Sequence, residues 1–248
     1  MRNESKVFDI GHINRELEKN PFTNVSKIVS NAVEDAIMTM RLKPGEKLII
    51  SNIASQLGIS TTPVREAIDR LAEKGLIRIE LNDTGKQSIY RVFKITMQEV
   101  EDLFFVRKAI EPVSAYWCSE HRWLIDLEKL ENLAQQFLNG YMLYEKKRDK
   151  ELLFKTTKLD REFHNLIVGA TGNKILIDAY ESIEKKLSYL TAITESELSD
   201  YAVKNLIIIA QQHVALSSAI RNGFSTVARD LMNEHLNFCM NTNRKFFD

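Results

Sequence analysis

The chain predicts a mainly α fold: an N-terminal winged helix-turn-helix followed by an antiparallel all-α helical bundle. Three observations carry that prediction. The segment "LGISTTPVREAIDRLAEKGLI" at residues 57–77 sets a tight turn, Leu57 to Ser60, between two helical stretches. The next stretch, "LIRIELNDTGKQSIYRVF", alternates towards two strands around Asn82 to Gly85, a hairpin signal. From Thr96 onward, long helical patterns follow one another with little between them.

Residues 1–20 are polar and charged and read as an arm ended by Pro21. From Val25 to Met40 the apolar positions Val25, Ile28, Val29, Ala32, Val33, Ala36, Ile37 and Met40 recur at helical spacing, and "LKPGEKL" supplies a Pro-Gly stop. Ser51 is expected to cap a second short helix ending at Gly58, and Ser60 a third ending at Gly75. Residues 21–95 thus form one domain and residues 96–248 another. The second opens on a capping box, Thr96 with Glu99, and continues in helices over about 124–148, 150–170, 173–192, 199–221 and 225–246. Six helices predict a bundle, with Gly140, Gly169, Gly172 and Gly223 mostly at turns.

At 248 residues, 44% hydrophobic and 27% charged, the chain has the composition of a globular protein with room for two cores. Cys118 and Cys239 form no CxxC pattern and point to a reducing compartment. The longest aliphatic run, Leu206 to Ala210, is too short for a bilayer and no apolar signal core is present, so a cytoplasmic protein without a membrane partner is expected. Net neutrality hides a split: residues 21–95 carry eleven Lys or Arg against eight Asp or Glu, residues 96–248 nineteen against twenty-two. The excess in the first part is the sign that phosphate contact needs.

On the third helix Val64, Ala67, Ile68 and Leu71 share one face, which leaves Thr62, Arg65, Glu66, Asp69 and Arg70 on the other or its flanks. Arg65 can reach a guanine edge or a phosphate, and Ser60, Thr61 and Thr62 can anchor phosphate oxygens. Arg65 can equally pair with Asp69 at i,i+4. Lys86 at the hairpin tip reaches backbone phosphate or merely solubilises. These residues carry a resemblance: "LKPGEKL…IASQLGISTTPVREAIDRLAEKGLI" is similar to the DNA-binding domain of the GntR family. Thr61 stands where that family commonly has arginine, and the wing lacks the usual "RRG" tip. The resemblance implies a homodimer that reads a pseudo-palindromic double-stranded operator, and Arg70 joins Arg65 in contacting it.

Asp160 and His164 stand four residues apart in "LDREFHNLI" and so share a helical face. His213 precedes Gly223 by ten residues and His235 follows it by twelve. At 1.5 Å per residue they lie roughly 15 and 18 Å from that turn. In an antiparallel pair those depths match, so one carboxylate and three imidazoles can meet on a divalent metal ion. "D…FH" with Gly172 and Asn173, "H..L..AI..G" to Gly223, His235, and Arg107 with Glu111 resemble the FCD effector domain of the FadR subfamily. Phe224 replaces the acidic residue common after that glycine. The resemblance implies a metal held by the Asp and three His, with a small organic acid as effector.

Three neutral imidazoles and a carboxylate leave +1 on a divalent cation, which a carboxylate effector neutralises. The metal (Zn, Ni, Mn or Fe) is open, since zinc would be saturated by four ligands and the others keep free positions. Arg107 either holds that carboxylate or pairs with Glu111. The expected function is a transcriptional regulator, a repressor released by its effector, and not an enzyme. A metal sensor is the alternative, and a metal-dependent enzyme a distant one because no Glu-x-x-His pair or HExxH occurs.

Overall fold

The computed structural model describes residues 7–8, 15, 25–82, 84–196 and 200–246. The arm expected over residues 1–20 lies outside the described residues except at 7, 8 and 15. There Phe8 is buried and Val7 O accepts a 2.8 Å hydrogen bond from Arg41 Nη1. The described residues form nine α-helices and a three-stranded sheet, in two compact units.

The first unit comprises Met1–Ile95 and Lys185–Ser196. Its helices are α1 (Val25–Met38), α2 (Ile50–Leu57) and α3 (Thr61–Glu73). Helix α2 starts two residues earlier than expected: Ile49, not Ser51, holds the N-cap, and Ser51 lies inside the helix and faces solvent. Gly58 ends α2 at φ 67°, the left-handed conformation that costs a side chain without Cβ nothing. Ser60 does occupy the N-cap of α3, although its hydroxyl makes no capping bond. Val64, Ala67, Ile68 and Leu71 are fully buried, as their spacing requires.

Strands β2 (Ile77–Leu81) and β3 (Ser88–Val92) form the expected hairpin, and β1 (Lys47–Leu48) adds a third, in the order β1-β3-β2, all antiparallel. Two residues are too few for an alternating pattern, so β1 was invisible in the sequence. Asn82 closes the wing: its Oδ1 accepts from Lys86 N, Gln87 N and Thr84 Oγ1 at 3.0, 3.2 and 2.9 Å. Residues 185–196 belong to this unit through buried Tyr189, whose hydroxyl donates to Phe93 O at 2.6 Å, and through Lys185 and Lys74, which both pair with Glu34.

The second unit comprises Thr96–Glu184 and Glu197–Asp248. It holds α4 (Met97–Glu120), α5 (Leu127–Lys147), α6 (Lys150–Ala170), the start of α7 (Lys174–Ser196), α8 (Asp200–Arg221) and α9 (Ser225–Arg244). The Thr96–Glu99 capping box starts α4 with both hydrogen bonds in place. Asp126 caps α5 and Asp149 caps α6, each accepting from backbone N–H groups one turn on. Residues 122–124 are a separate short 3-10 turn, which is why α5 begins at Leu127.

Short connections make sequence neighbours pack: α5 lies against α6 and α8, α9 against α8, and α4 against α9, α6 and α8. Gly140 is not at a turn. It sits inside α5, and a Cβ there would meet Thr156 Oγ1 at 2.3 Å and Cγ2 at 2.7 Å. The missing side chain sets how closely α5 and α6 approach. Gly223, at φ 74°, does occupy the turn between α8 and α9.

Candidate metal centre and DNA-reading face

Helices α6, α8 and α9 bring His164, His213 and His235 together in the interior of the second unit. Their exposures are 2%, 0% and 1%, and their ligating atoms all lie within 4.8 Å of one another. His164 Nε2 and His213 Nε2 are 3.1 Å apart. Asp160, one turn before His164, places Oδ1 3.7 Å from His164 Nε2 and 3.4 Å from His213 Nε2. Its side chain keeps 32% exposure, so the carboxylate is the solvent-facing member of a dry cluster.

A second ring of side chains faces the outer nitrogens. Glu111 of α4, fully buried, accepts from Arg107 Nε at 2.5 Å and from Tyr180 Oη at 3.0 Å on Oε1. Its Oε2 lies 3.3 Å from Arg107 Nη2 and 2.8 Å from His164 Nδ1. The last is a close charge contact, and among the described residues His164 Nδ1 makes no hydrogen bond. His235 Nδ1 is 3.1 Å from Gln212 Oε1. His213 Nδ1 is buried and makes no hydrogen bond among the described residues, and the rings of Phe163 and Phe137 pack on that imidazole at 4.5 and 4.8 Å. Cys239 Sγ rests against His235, 3.7 and 3.9 Å from its two ring nitrogens.

Electrostatics divides the three imidazoles. Burial opposes charging His164, but the Glu111 carboxylate and then Asp160 overcome it and raise its pKa to about 9. Burial is not overcome at His213, held down at about 3, with positive His164 and Arg107 opposing its charge further. His235 is pushed well below its ordinary value, by burial first and then by His213, His164 and Arg107. Burial would raise Asp160 and Glu111, yet the adjacent His164 and His213 hold Asp160, and Arg107 and His164 hold Glu111, below the usual carboxylate range.

Two imidazoles are therefore neutral at pH 7, the form that ligates a metal. Three imidazole nitrogens converging from three helices, with the Asp160 carboxylate beside two of them, fit a divalent first-row ion. Of the two alternatives for Arg107, the pair with Glu111 is present, and Arg107 Nη2 also reaches within 3.4 Å of His164 Nε2. Glu111 was in view from the sequence through its spacing from Arg107. Tyr180 and Gln212 were not, because nothing at their positions separates them from ordinary helix residues.

In the first unit Ser60, Thr61, Thr62, Arg65, Arg70 and Lys86 are all exposed, on the start of α3, its outer face and the wing. Arg65 Nη1 donates to Tyr90 Oη of β3 at 3.2 Å, and among the described residues it makes no ion pair with Asp69. Tyr90 thus steadies the arginine against the sheet, a role with no sequence signal.

Comparison with known proteins follows the same division. Residues 26–82 match the family described as bacterial regulatory proteins, gntR family, and residues 102–238 match the FCD domain. The chain belongs to the GntR regulators that carry an FCD domain. The HTH-type transcriptional repressor RspR of Escherichia coli K12 is 24% identical over 221 residues, covering 89% of this chain and 90% of that protein. The putative L-lactate dehydrogenase operon regulatory protein of the same strain is 26% identical over 238 residues, covering 90% and 87%. Among solved structures, E. coli McbR/YncC superposes with a TM-score of 0.66 at 19% identity, over 92% of this chain and all of that one. As a GntR-family protein this chain is a DNA-binding transcriptional regulator and not an enzyme. No helix among its described residues is long and apolar enough to cross a membrane.

Proposed function

We propose that this regulator is a repressor whose FCD domain holds one divalent metal ion and is released from its operator by a small carboxylate. The observation that supports this most is the buried convergence of His164, His213 and His235 beside Asp160. Those four residues would hold the ion. When bound, it supplies a fixed positive charge inside the bundle.

The residues around it determine what that charge attracts. Arg107 and Glu111 cancel each other, so the centre keeps +1 after three neutral imidazoles and one carboxylate. A buried net charge without a partner is costly, and a carboxylate removes it. Arg107, bordering His164, is the residue we assign to that acid. Within the domain of residues 21–95 we assign operator contact to Ser60, Thr61, Thr62, Arg65, Arg70 and Lys86, and effector control to residues 96–248.

Homodimerisation is supported by α4, which exposes Phe105 by 76%, Val113 by 57% and Tyr116 by 39%. Their spacing puts them on one face, the arrangement that an isologous contact with a second copy uses. Cys118 and Cys239 are buried and free, in keeping with the cytoplasm, where the operator is.

The test is titration of a mono- or dicarboxylate into metal-loaded protein, free and operator-bound. The acid must bind the free protein more tightly, and the operator must weaken the acid by the same factor, with a coupling of about 1–3 kcal/mol. Elemental analysis is expected to find about one ion per chain, lost in His213→Ala and His235→Ala together with thermal stability. A response to metal alone, with acid adding nothing, would make the ion itself the signal. No metal before or after addition would end the metal reading.

A further inference from the structure

Glu111 lies outside the four residues that face the centre of the cluster, yet it is fully buried and both its oxygens are engaged. Oε1 takes Arg107 Nε and Tyr180 Oη, and Oε2 faces Arg107 Nη2 and His164 Nδ1. Three elements, α4, α6 and α7, therefore fix one carboxylate. Only one of its contacts points at the metal centre, and it points at the outer nitrogen of a ligand.

That placement has a chemical consequence. An imidazole has two nitrogens, and the one carrying the proton cannot ligate. Glu111 accepts only, so it favours the proton on His164 Nδ1 and leaves Nε2, the atom 3.1 Å from His213 Nε2, with its lone pair inward. Gln212 Oε1 stands in the same relation to His235 Nδ1 at 3.1 Å. Among the described residues His213 has no such partner, and its ring packs instead against Phe163 and Phe137.

We propose that Glu111 is a positioning residue of the metal centre: it orients His164 and fixes which nitrogen it offers, with Gln212 doing the same for His235. This rests on the metal reading above and adds to it a named outer residue for each of two ligands. Arg107 and Tyr180 hold Glu111 still through their hydrogen bonds, so that the carboxylate sets the ring and not the reverse.

Co(II) alone is the probe, with the full-length protein, chelator competition for affinity and the visible ligand-field bands for geometry. Glu111→Leu is expected to weaken Co(II) binding by about 10- to 100-fold and to alter the bands. Glu111→Gln keeps an oxygen able to accept from Nδ1–H and is expected to restore most of both. Removing Glu111 alone strands buried Arg107, so Glu111→Leu is repeated together with Arg107→Met, which replaces the pair by apolar groups and should show the same loss. Gln212→Leu should repeat the effect through His235. If the wild-type protein takes up no Co(II), the metal reading fails and this proposal with it. If the wild type binds but the folded double variant matches its affinity and spectrum, or Glu111→Gln restores neither, the positioning role alone is overturned.

Discussion

Arg65 shows how one residue acquires a role that its own helix does not determine. The sequence left it between a base contact and an i,i+4 pair with Asp69, and Tyr90 from the sheet resolves its surroundings by holding Nη1. Held there, Arg65 loses less rotamer freedom on meeting DNA. Arg65→Ala is expected to weaken specific operator binding by about 1–3 kcal/mol if it makes a bidentate base contact, measured at fixed salt. Unchanged affinity in the folded variant would remove the role. The histidine set was legible because it is a matter of spacing along helices, four residues within α6 and near-equal distances from Gly223. Tyr180 and Gln212 meet their partners across helices, at separations of 69 residues for Tyr180 with Glu111 and 23 for Gln212 with His235, where no periodicity applies.

Elements show the same limit. Helix starts defined by side-chain caps, Thr96 for α4 above all, were visible, whereas α2 starts on Ile49 with no capping side chain. Gly140 stands among the glycines expected mostly at turns although it falls inside the helix expected over about 124–148, and it is a packing residue. Gly140→Ala puts a methyl into Thr156 and is expected to cost about 1–3 kcal/mol by overpacking, read from chemical denaturation. A stability equal to wild type would mean that α5 and α6 separate freely.

Glu34 of α1 makes a second element-level prediction. Burial alone would raise its pKa, but Lys185 and Lys74 outweigh that and lower it below the ordinary 4.5. A carboxyl with a depressed folded pKa stabilises above its unfolded value and ceases to as pH falls through the folded one. Glu34→Gln should therefore be less stable than wild type at pH 7, with the gap closing below 4.5. A gap independent of pH would exclude the charge as its origin.

For the molecule as a whole, division into a three-helix reader with a wing and a helical bundle was legible because each part has its own period and breaks. A homodimer was expected from the resemblance, but the surface proposed for it was not legible, since the stripe of Phe105, Val113 and Tyr116 becomes informative only once burial shows what the bundle leaves uncovered. Phe105→Asp is expected to shift the protein from dimer to monomer in light scattering and to weaken binding to a two-half-site operator more than to a single half-site. A dimer persisting in that variant would place the contact elsewhere. The two cysteines add an internal gauge. Cys118 and Cys239 are buried, and burial raises both thiols, Cys118 to about 12, so neither reacts until the bundle opens locally. Cys239 lies against His235, so its rate of alkylation counts openings of the very helix that carries a metal ligand. Metal should slow labelling of Cys239 by the factor with which its binding lowers the open population, one plus the ratio of free metal concentration to Kd, turning a thiol with no part in the chemistry into a clock for occupancy.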